Sequence, residues 1–344
     1  MNRSRAGRIA LEGIRFRLII VLVMVLIIGA LTSENFLTLN MVHSVFDRAS
    51  ILGLLALGLT PVLIAGQIDL SVGSVLSMSG ITTIMLQPVI GSVPALVCGL
   101  GVGLLIGLIN AVLVVVFKIN SLVATLGTSL IFASLALLLT KAYPVASQNP
   151  IFGLGLTQSI AVVFTPRALI FFVIAILMFI WLHSTPPGRH LYAVGGNVAA
   201  ASAAGINTNW HLAFVMVLSG LMSGSAGVIQ SLSNATGSPV AGSTMLIPAI
   251  TAVVIGGTPL EGGRGSSLQT VGGVIALGTL TRLLESQGVP SYTQDICSGL
   301  LLILLITLDR LAISAERAST SRTHRRERVV STNPKYSQER ETHV

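Results

Sequence analysis

The chain has 344 residues, of which 52% are hydrophobic and only 9% charged. A water-facing domain carries about 25% charged residues, so a soluble globular fold is excluded and an integral membrane protein is the class that fits. The net charge of +8 sits almost wholly in the two ends: five Arg against one Glu in residues 1–17, and seven Arg and one Lys against five acids in residues 309–344.

That distribution speaks of orientation rather than of nucleic acid. Basic residues flanking a span stay on the cytoplasmic side, so both termini are expected inside and the number of spans is expected to be even. Arg3–Arg17 followed by apolar Leu18–Leu31 resembles a signal peptide. The sequence after it is a poor small-residue cleavage site, so residues 16–33 are read as an uncleaved first span. A polar stretch from Glu34 to Arg48 follows on the outer side. Residues 49–67 return inward, with Pro61 expected to kink the helix. Asp69 sits at the turn, and residues 70–87 run outward again. No charge occurs from Leu70 to Phe117, and Pro88, Gly91 and Pro94 break this run into two crossings.

Residues 93–117 make the fourth span. There Gly99, Gly103 and Gly107 recur every four residues, a spacing that gives a helix one smooth strip for close packing in lipid. Asn110 lies on the same span and needs a partner for its amide. Residues 121–140 form the fifth span. Residues 141–166 form the longest external connection, within which 151–164 is apolar but broken by Gly153 and Gly155. Residues 167–183 return as the sixth span.

Residues 182–209 are a polar, Gly- and Ala-rich segment bracketed by the chain's two tryptophans, Trp181 and Trp210. Indoles settle at headgroup depth, so this segment is expected to be a loop at a membrane face, and the span count puts it in the cytoplasm. The seventh span, 210–231, carries Gly220, Gly224 and Gly227. A short eighth span (about 245–257), an inside turn GTPLEGGRG, a ninth span (267–284) and a tenth (291–308) complete the count. The expected fold is therefore an all-α polytopic membrane protein of about ten transmembrane helices with both termini cytoplasmic. Its parts are a basic N-terminus (1–15), a permease domain (16–310) and a basic, disordered tail (311–344).

One internal echo stands out. Residues 62–74 and 253–266 each hold an apolar run, a glycine (Gly66, Gly257), an acid (Asp69, Glu261) and then Gly-Ser. Both turns fall on the same side in this topology, so the repeat would be parallel.

Catalytic motifs are missing. There is no GxxxxGK[ST] cradle, and Gly262-Gly263-Arg264-Gly265 lacks the lysine and hydroxyl that bind phosphate and magnesium. No HExxH occurs. Outside the tail, only His43 has a carboxylate one helical turn away, at Asp47, and that pair is expected to be a solvated contact. Cys98 and Cys297 read as buried small hydrophobes, with no disulfide or metal site. The acids and bases Asp69, Arg282, Glu285 and Asp295 fall near span ends, where capping or snorkelling explains them. The chain reads as a passage without its own energy source.

Four ordered stretches, TPVLIAGQIDLSVGSVLSMSG (60–80), GLLIGLINAVLVVVFKINSLVATLGT (103–128), GRHLYAVGGNVAAASAAGI (188–206) and ITAVVIGGTPLEGGRGS (250–266), resemble the membrane-spanning permeases of bacterial ribose-type sugar ABC importers. PSYTQDICSGLLLILLITLD (290–309) extends the likeness, which covers roughly residues 15–312. The resemblance implies a multi-pass protein of the bacterial inner membrane that forms the path for a monosaccharide (ribose-, xylose- or galactose-like) or a polyol. It implies no enzyme activity and no cofactor. The implied partners are cytoplasmic ATP-binding subunits, a second permease subunit in a homo- or heterodimer, and a periplasmic substrate-binding protein, within the lipid bilayer and without nucleic acid.

By the same resemblance, Gly188, Arg189, Gly195, Gly196, Asn197, Ala200 and Gly205 form the ATPase-coupling segment, with Asn197–Ala204 a short Ala-rich helix. Gly66, Asp69, Ser71, Gly73, Gly256, Gly257, Gly262 and Gly263 are turn residues. Asn110, Thr125 and Gly127 are candidates for the path or for helix packing. The segment Val198–Ala204 departs from relatives in having no charge, which points to apolar rather than salt-bridged docking. Alternatives are an ion-coupled carrier or facilitator, and an ABC permease for branched-chain amino acids or nucleosides.

Overall fold

The computed structural model describes residues 22–32, 38–160 and 163–307. The N-terminal segment 1–15 and the tail 311–344 lie outside the described residues, as does the start of the expected first span. Among the described residues the helices are α1 (Leu22–Thr32), α2 (Leu39–Ile64), α3 (Val72–Ile90), α4 (Ser92–Ala111), α5 (Ser121–Thr140), α6 (Pro150–Leu154), α7 (Pro166–Ser184), α8 (Pro186–Gly196), α9 (Val198–Ala203), α10 (Thr208–Ser233), α11 (Leu246–Ile255), α12 (Ser267–Ser286) and α13 (Ser291–Thr307). A turn of π-helix, Val112–Val116, extends α4. The chain divides into two compact units, residues 1–299 and 300–344, and the described part of the second is the last turns of α13.

Seven of these helices, α2, α3, α4 with its π extension, α5, α7, α10 and α12, are long and apolar enough to cross a bilayer. Burial sorts them. The most apolar window of α2 is 83% buried while that of α5 is only 22% buried, so α2 runs through the protein interior and α5 faces outward. Leu122, Leu126, Leu130, Ile131 and Leu138 stand exposed along α5, a surface that suits lipid chains rather than water. Cys98, expected to be buried, is on such an exposed surface of α4.

The centre is α2, α3, α4 and α10, packed through glycine. A Cβ on Gly103 would come within 2.6 Å of the Gly220 carbonyl, and one on Gly220 within 2.4 Å of the Gly103 carbonyl. The strips expected on the fourth and seventh spans thus face each other, backbone against backbone, where a side chain would hold the helices apart. Gly101, beside the strip in sequence, meets nothing within 4 Å.

Three expectations need correction. The second span begins at Leu39 rather than 49, because Thr38 caps the helix by accepting from the Met41 amide at 3.3 Å. The outer polar stretch is therefore largely the first turns of a 26-residue helix. Second, His43 and Asp47 do not pair: the His43 ring meets the Ser159 hydroxyl at 3.0 Å, and Asp47 accepts from Thr165 and is ion-paired with Arg167. Third, the eighth span is a 10-residue helix. At 1.5 Å per residue it reaches about 15 Å, half of the roughly 30 Å hydrocarbon thickness, so it is too short to cross alone.

Candidate functional site

The segment between the tryptophans is helical rather than a loop. Thr-Pro starts both α7, which leads into it, and α8: Thr165 and Thr185 accept from the amides of Ala168 and Gly188, and Pro166 and Pro186 stand at first helical positions where no amide donor is needed. One face of α8 is buried through Leu191 and Val194. Its Gly188 lies so close to α7 that a Cβ would meet the Trp181 carbonyl at 2.2 Å. Trp181 and Trp210 converge on one ring, Phe214, with centroid distances of 5.4 and 5.3 Å. The bracketing indoles therefore close the base of the segment on a shared aromatic stack.

Asn197 ends α8 and starts α9. Its backbone is extended, and its side chain accepts from the Ala200 amide at 3.0 Å, capping the next helix. At the far end Gly205, with φ of 82°, gives the left-handed turn that stops the helix. Between these caps only Ala201 is buried; Val198, Ala199, Ala200, Ser202 and Ala203 are exposed. Arg189 is exposed on α8. The result is a short, uncharged, rigidly capped helix standing off the body of the protein.

What it stands on is a meeting of three backbone turns. α2 and α11 end in the same way. The amides of Gly66 and Gln67 bond the Leu63 and Val62 carbonyls, and those of Gly257 and Thr258 bond the Val254 and Val253 carbonyls. Both are the left-handed glycine cap, with φ of 71° at Gly66 and 86° at Gly257. The echo between 62–74 and 253–266 is thus a shared local structure, and the two turns sit together. Gly263 N–H donates to the Ile64 carbonyl at 2.8 Å, and a Cβ on Gly262 would lie 2.7 Å from the Gly66 Cα.

The third turn is the end of α8. A Cβ on Gly195 would fall 1.7 Å from the Ile64 carbonyl, and one on Gly263 would fall 2.9 Å from the Gly196 Cα. Tyr192 adds a side-chain tie, its hydroxyl donating to the Gly265 carbonyl at 2.9 Å. Burial pushes the Tyr192 phenol up to about 12, so it remains a donor at any physiological pH.

Beside the turns lies a buried polar network. The Asp69 carboxylate accepts from the Ser71 amide (2.9 Å), the Ser71 hydroxyl (2.6 Å) and the Ser219 hydroxyl of α10 (2.6 Å). Asn110 donates to the Ser71 oxygen at 2.8 Å and accepts from Thr128 at 2.7 Å. The Thr125 hydroxyl accepts from the Leu70 amide at 3.0 Å. Asp69 is 1% exposed, so it does not snorkel; it pins the turn to α10 from inside. A buried carboxylate costs several kcal/mol unless paired or well hydrogen-bonded, and charge-assisted hydrogen bonds contribute roughly 1.5–3 kcal/mol each. Three such donors are of the size needed to hold it there.

The remaining expected positions separate. Gly73 lies against Gly242, with a Cβ 2.4 Å from the Gly242 carbonyl, and Gly256 lies 2.5 Å from the Gln269 carbonyl by the same measure. Gly127, by contrast, meets nothing within 4 Å and takes no part in the network. Gly196 is likewise open on its Cβ side. Thr128, which closes the resembling segment 103–128, accompanies Asn110 in the network, whereas Ser219 and Tyr192 belong to the site without having been singled out by sequence. The available signal for Ser219 was weak, a small-residue run around it.

Comparison with known proteins places the sequence in a family. Residues 41–306 match the family model described as branched-chain amino acid transport system / permease component. The ribose import permease protein of Escherichia coli K12 is 33% identical over 298 residues, 85% of this chain and 92% of the relative. That of Bacillus subtilis 168 is 33% identical over 312 residues, 90% and 97% of the two chains. The D-allose transport system permease protein of Escherichia coli K12 is 34% identical over 300 residues, 85% and 90%. No solved structure matches. With a family match over most of its length and this degree of identity to sugar permeases, the chain belongs to the branched-chain amino acid transport system permease family, among the ribose-type sugar ABC import permeases.

Proposed function

We propose that this chain is the permease subunit of an ABC importer, a multi-pass protein of the bacterial inner membrane that forms the path for a monosaccharide. Separate ATP-binding subunits drive it, a second permease subunit pairs with it, and a periplasmic binding protein delivers the sugar. The names of its relatives, for ribose, D-allose and autoinducer 2, support a small polyhydroxylated substrate. The basic ends support cytoplasmic termini and ten membrane-inserted helices, seven long and three short.

The observation that carries the reading is the arrangement of α9. An exposed, uncharged helix of 6 residues is capped at both ends and follows directly on α8, whose last residues Gly195 and Gly196 lie backbone to backbone against the end of α2 and the Gly262-Gly263 turn between α11 and α12. Glycine contacts of this kind leave no flexible side chain between the parts, so a push on α9 passes through the end of α8 to α2 and to the turn between α11 and α12 with little slack. α7 adds a second connection, since its last turn runs directly into α8 through Thr185. No covalent step takes place in this chain; it converts the closing of the motor subunits into movement of its helices.

The test is ATP-driven uptake of labelled D-ribose and D-allose into proteoliposomes holding the chain with its ATP-binding subunit and binding protein. Uptake that requires all three components is the expected result. Uptake by the chain alone, driven by an ion gradient, would replace the reading with a secondary carrier.

A further inference from the structure

At the end of the bundle away from Gly195 and Ile64 lies a cavity of about 460 Å³. The chain directions place it there: it takes in the first half of α2, the start of α7 and of α11, and the final turns of α10 and α12. From Asp47 to Ile64 along α2 is about 26 Å at 1.5 Å per residue. The cavity falls within the ~300–1,000 Å³ typical of small-molecule sites.

Its wall has a particular chemistry. Asp47, Asp295, Arg48 and Arg167 all line it. Asp47 is held by Arg167 and Arg48 by Glu285 at 2.6 Å, while Asp295 lies outside these pairs and is exposed. Neutral polar groups complete the lining. The Gln230 amide oxygen is buried there and has no hydrogen-bond partner among the described residues. Gln294 donates its amide nitrogen to the Val289 carbonyl, leaving its oxygen for another donor. Ile51 and Leu277, both buried, form an apolar patch below. An unpaired buried acceptor is costly unless something supplies a donor.

We infer that this cavity is a binding subsite for a neutral polyol, a pentose or hexose, built within a single permease subunit. Sugar hydroxyls would donate to the Gln230 and Gln294 oxygens, while the C–H face of the ring lies on Ile51 and Leu277. Both lining arginines are already engaged by carboxylates, which disfavours an anion. The inference rests on the transport reading above and adds where the substrate is held. It also links holding to release, because α2 and α7 form the wall at one end and meet the α8–α9 platform at the other.

The test is saturation-transfer NMR of D-ribose and D-allose with the full chain in detergent, run beside the uptake assay of the assembled importer. Loss of one hydrogen bond weakens a complex by about fivefold, so Gln230→Leu should weaken the sugar signal by that order. Asn234→Leu, at an exposed lining position whose side chain makes no hydrogen bond among the described residues, tests the same wall should the first variant aggregate. Unchanged sugar binding in both variants overturns the inference, as does absence of binding to a chain whose importer still takes up sugar. Absence of uptake by the wild-type importer would instead count against the transport reading itself.

Discussion

The amide of Gly263 donates to the carbonyl of Ile64 at 2.8 Å, joining turns nearly 200 residues apart in sequence through main chain alone. The Gly195 backbone closes on the same carbonyl. Because three turns meet at one peptide group, a single added methyl at Gly195 must displace all of them.

Gly195→Ala and Gly196→Ala therefore form an informative pair. The first places a Cβ 1.7 Å from the Ile64 carbonyl, the second in open space. Overpacking costs about 1–3 kcal/mol, so Gly195→Ala should lower the thermal midpoint of the purified protein clearly and cut uptake. Gly196→Ala should leave the midpoint within error. Equal stability for the two would mean that the three turns are not in contact.

The Asp69 network gives a graded series. Ser219→Ala removes one donor to the carboxylate, while Asp69→Leu removes the acceptor for Ser71 and Ser219 together. Leaving buried polar groups unpaired costs about 1–3 kcal/mol. Thermal unfolding should rank wild type above Ser219→Ala and that above Asp69→Leu; a reversed order would show that the carboxylate is strained rather than satisfied.

The glycine seam separates two neighbours on α4. Gly103→Val should prevent α4 from seating on α10, since a Cβ there is already 2.6 Å from the Gly220 carbonyl, whereas Gly101→Val should insert normally. Protease resistance in membranes distinguishes them. Gly127→Ala, with free space at its Cβ, should raise helix stability by about 0.5–1 kcal/mol.

Tyr192 predicts a pH response at the alkaline end. Its phenol is raised from 10.0 to about 12 by burial, so the folded state keeps the proton longer than the unfolded chain does. This contribution is fully present below pH 10 and is lost as the pH rises towards about 12. Tyr192→Phe, which also loses the bond to Gly265, should flatten that part of the stability curve. An unchanged alkaline profile would show that the hydroxyl is solvated.

The membrane class and most helix positions were legible, because an 18-residue apolar run has few other uses. The same signal erred where polarity and helix geometry disagree: Glu34–Arg48 reads as a loop, yet Thr38 caps a helix there and Asp47 is neutralised by Arg167, 120 positions away. Of the site, Gly66, Gly195, Gly262 and Gly263 could be named from sequence, but glycine spacing does not say which backbone each will touch. Gly127, named with Asn110 and Thr125 for the path or for packing, has nothing within 4 Å of where a Cβ would stand. Ser219 and Tyr192 were invisible because their roles arise only from contacts across the fold.

A photo-cross-linking residue at Ala200, on the exposed side of α9, puts the coupling role to the most direct trial. In cells producing the whole importer it should cross-link to the ATP-binding subunit, and a cysteine at the same position should resist membrane-impermeant reagents added outside intact cells. Labelling of that cysteine from outside, with no cross-link to the ATP-binding subunit, would contradict the assignment of α9 as the helix that receives the motor's force.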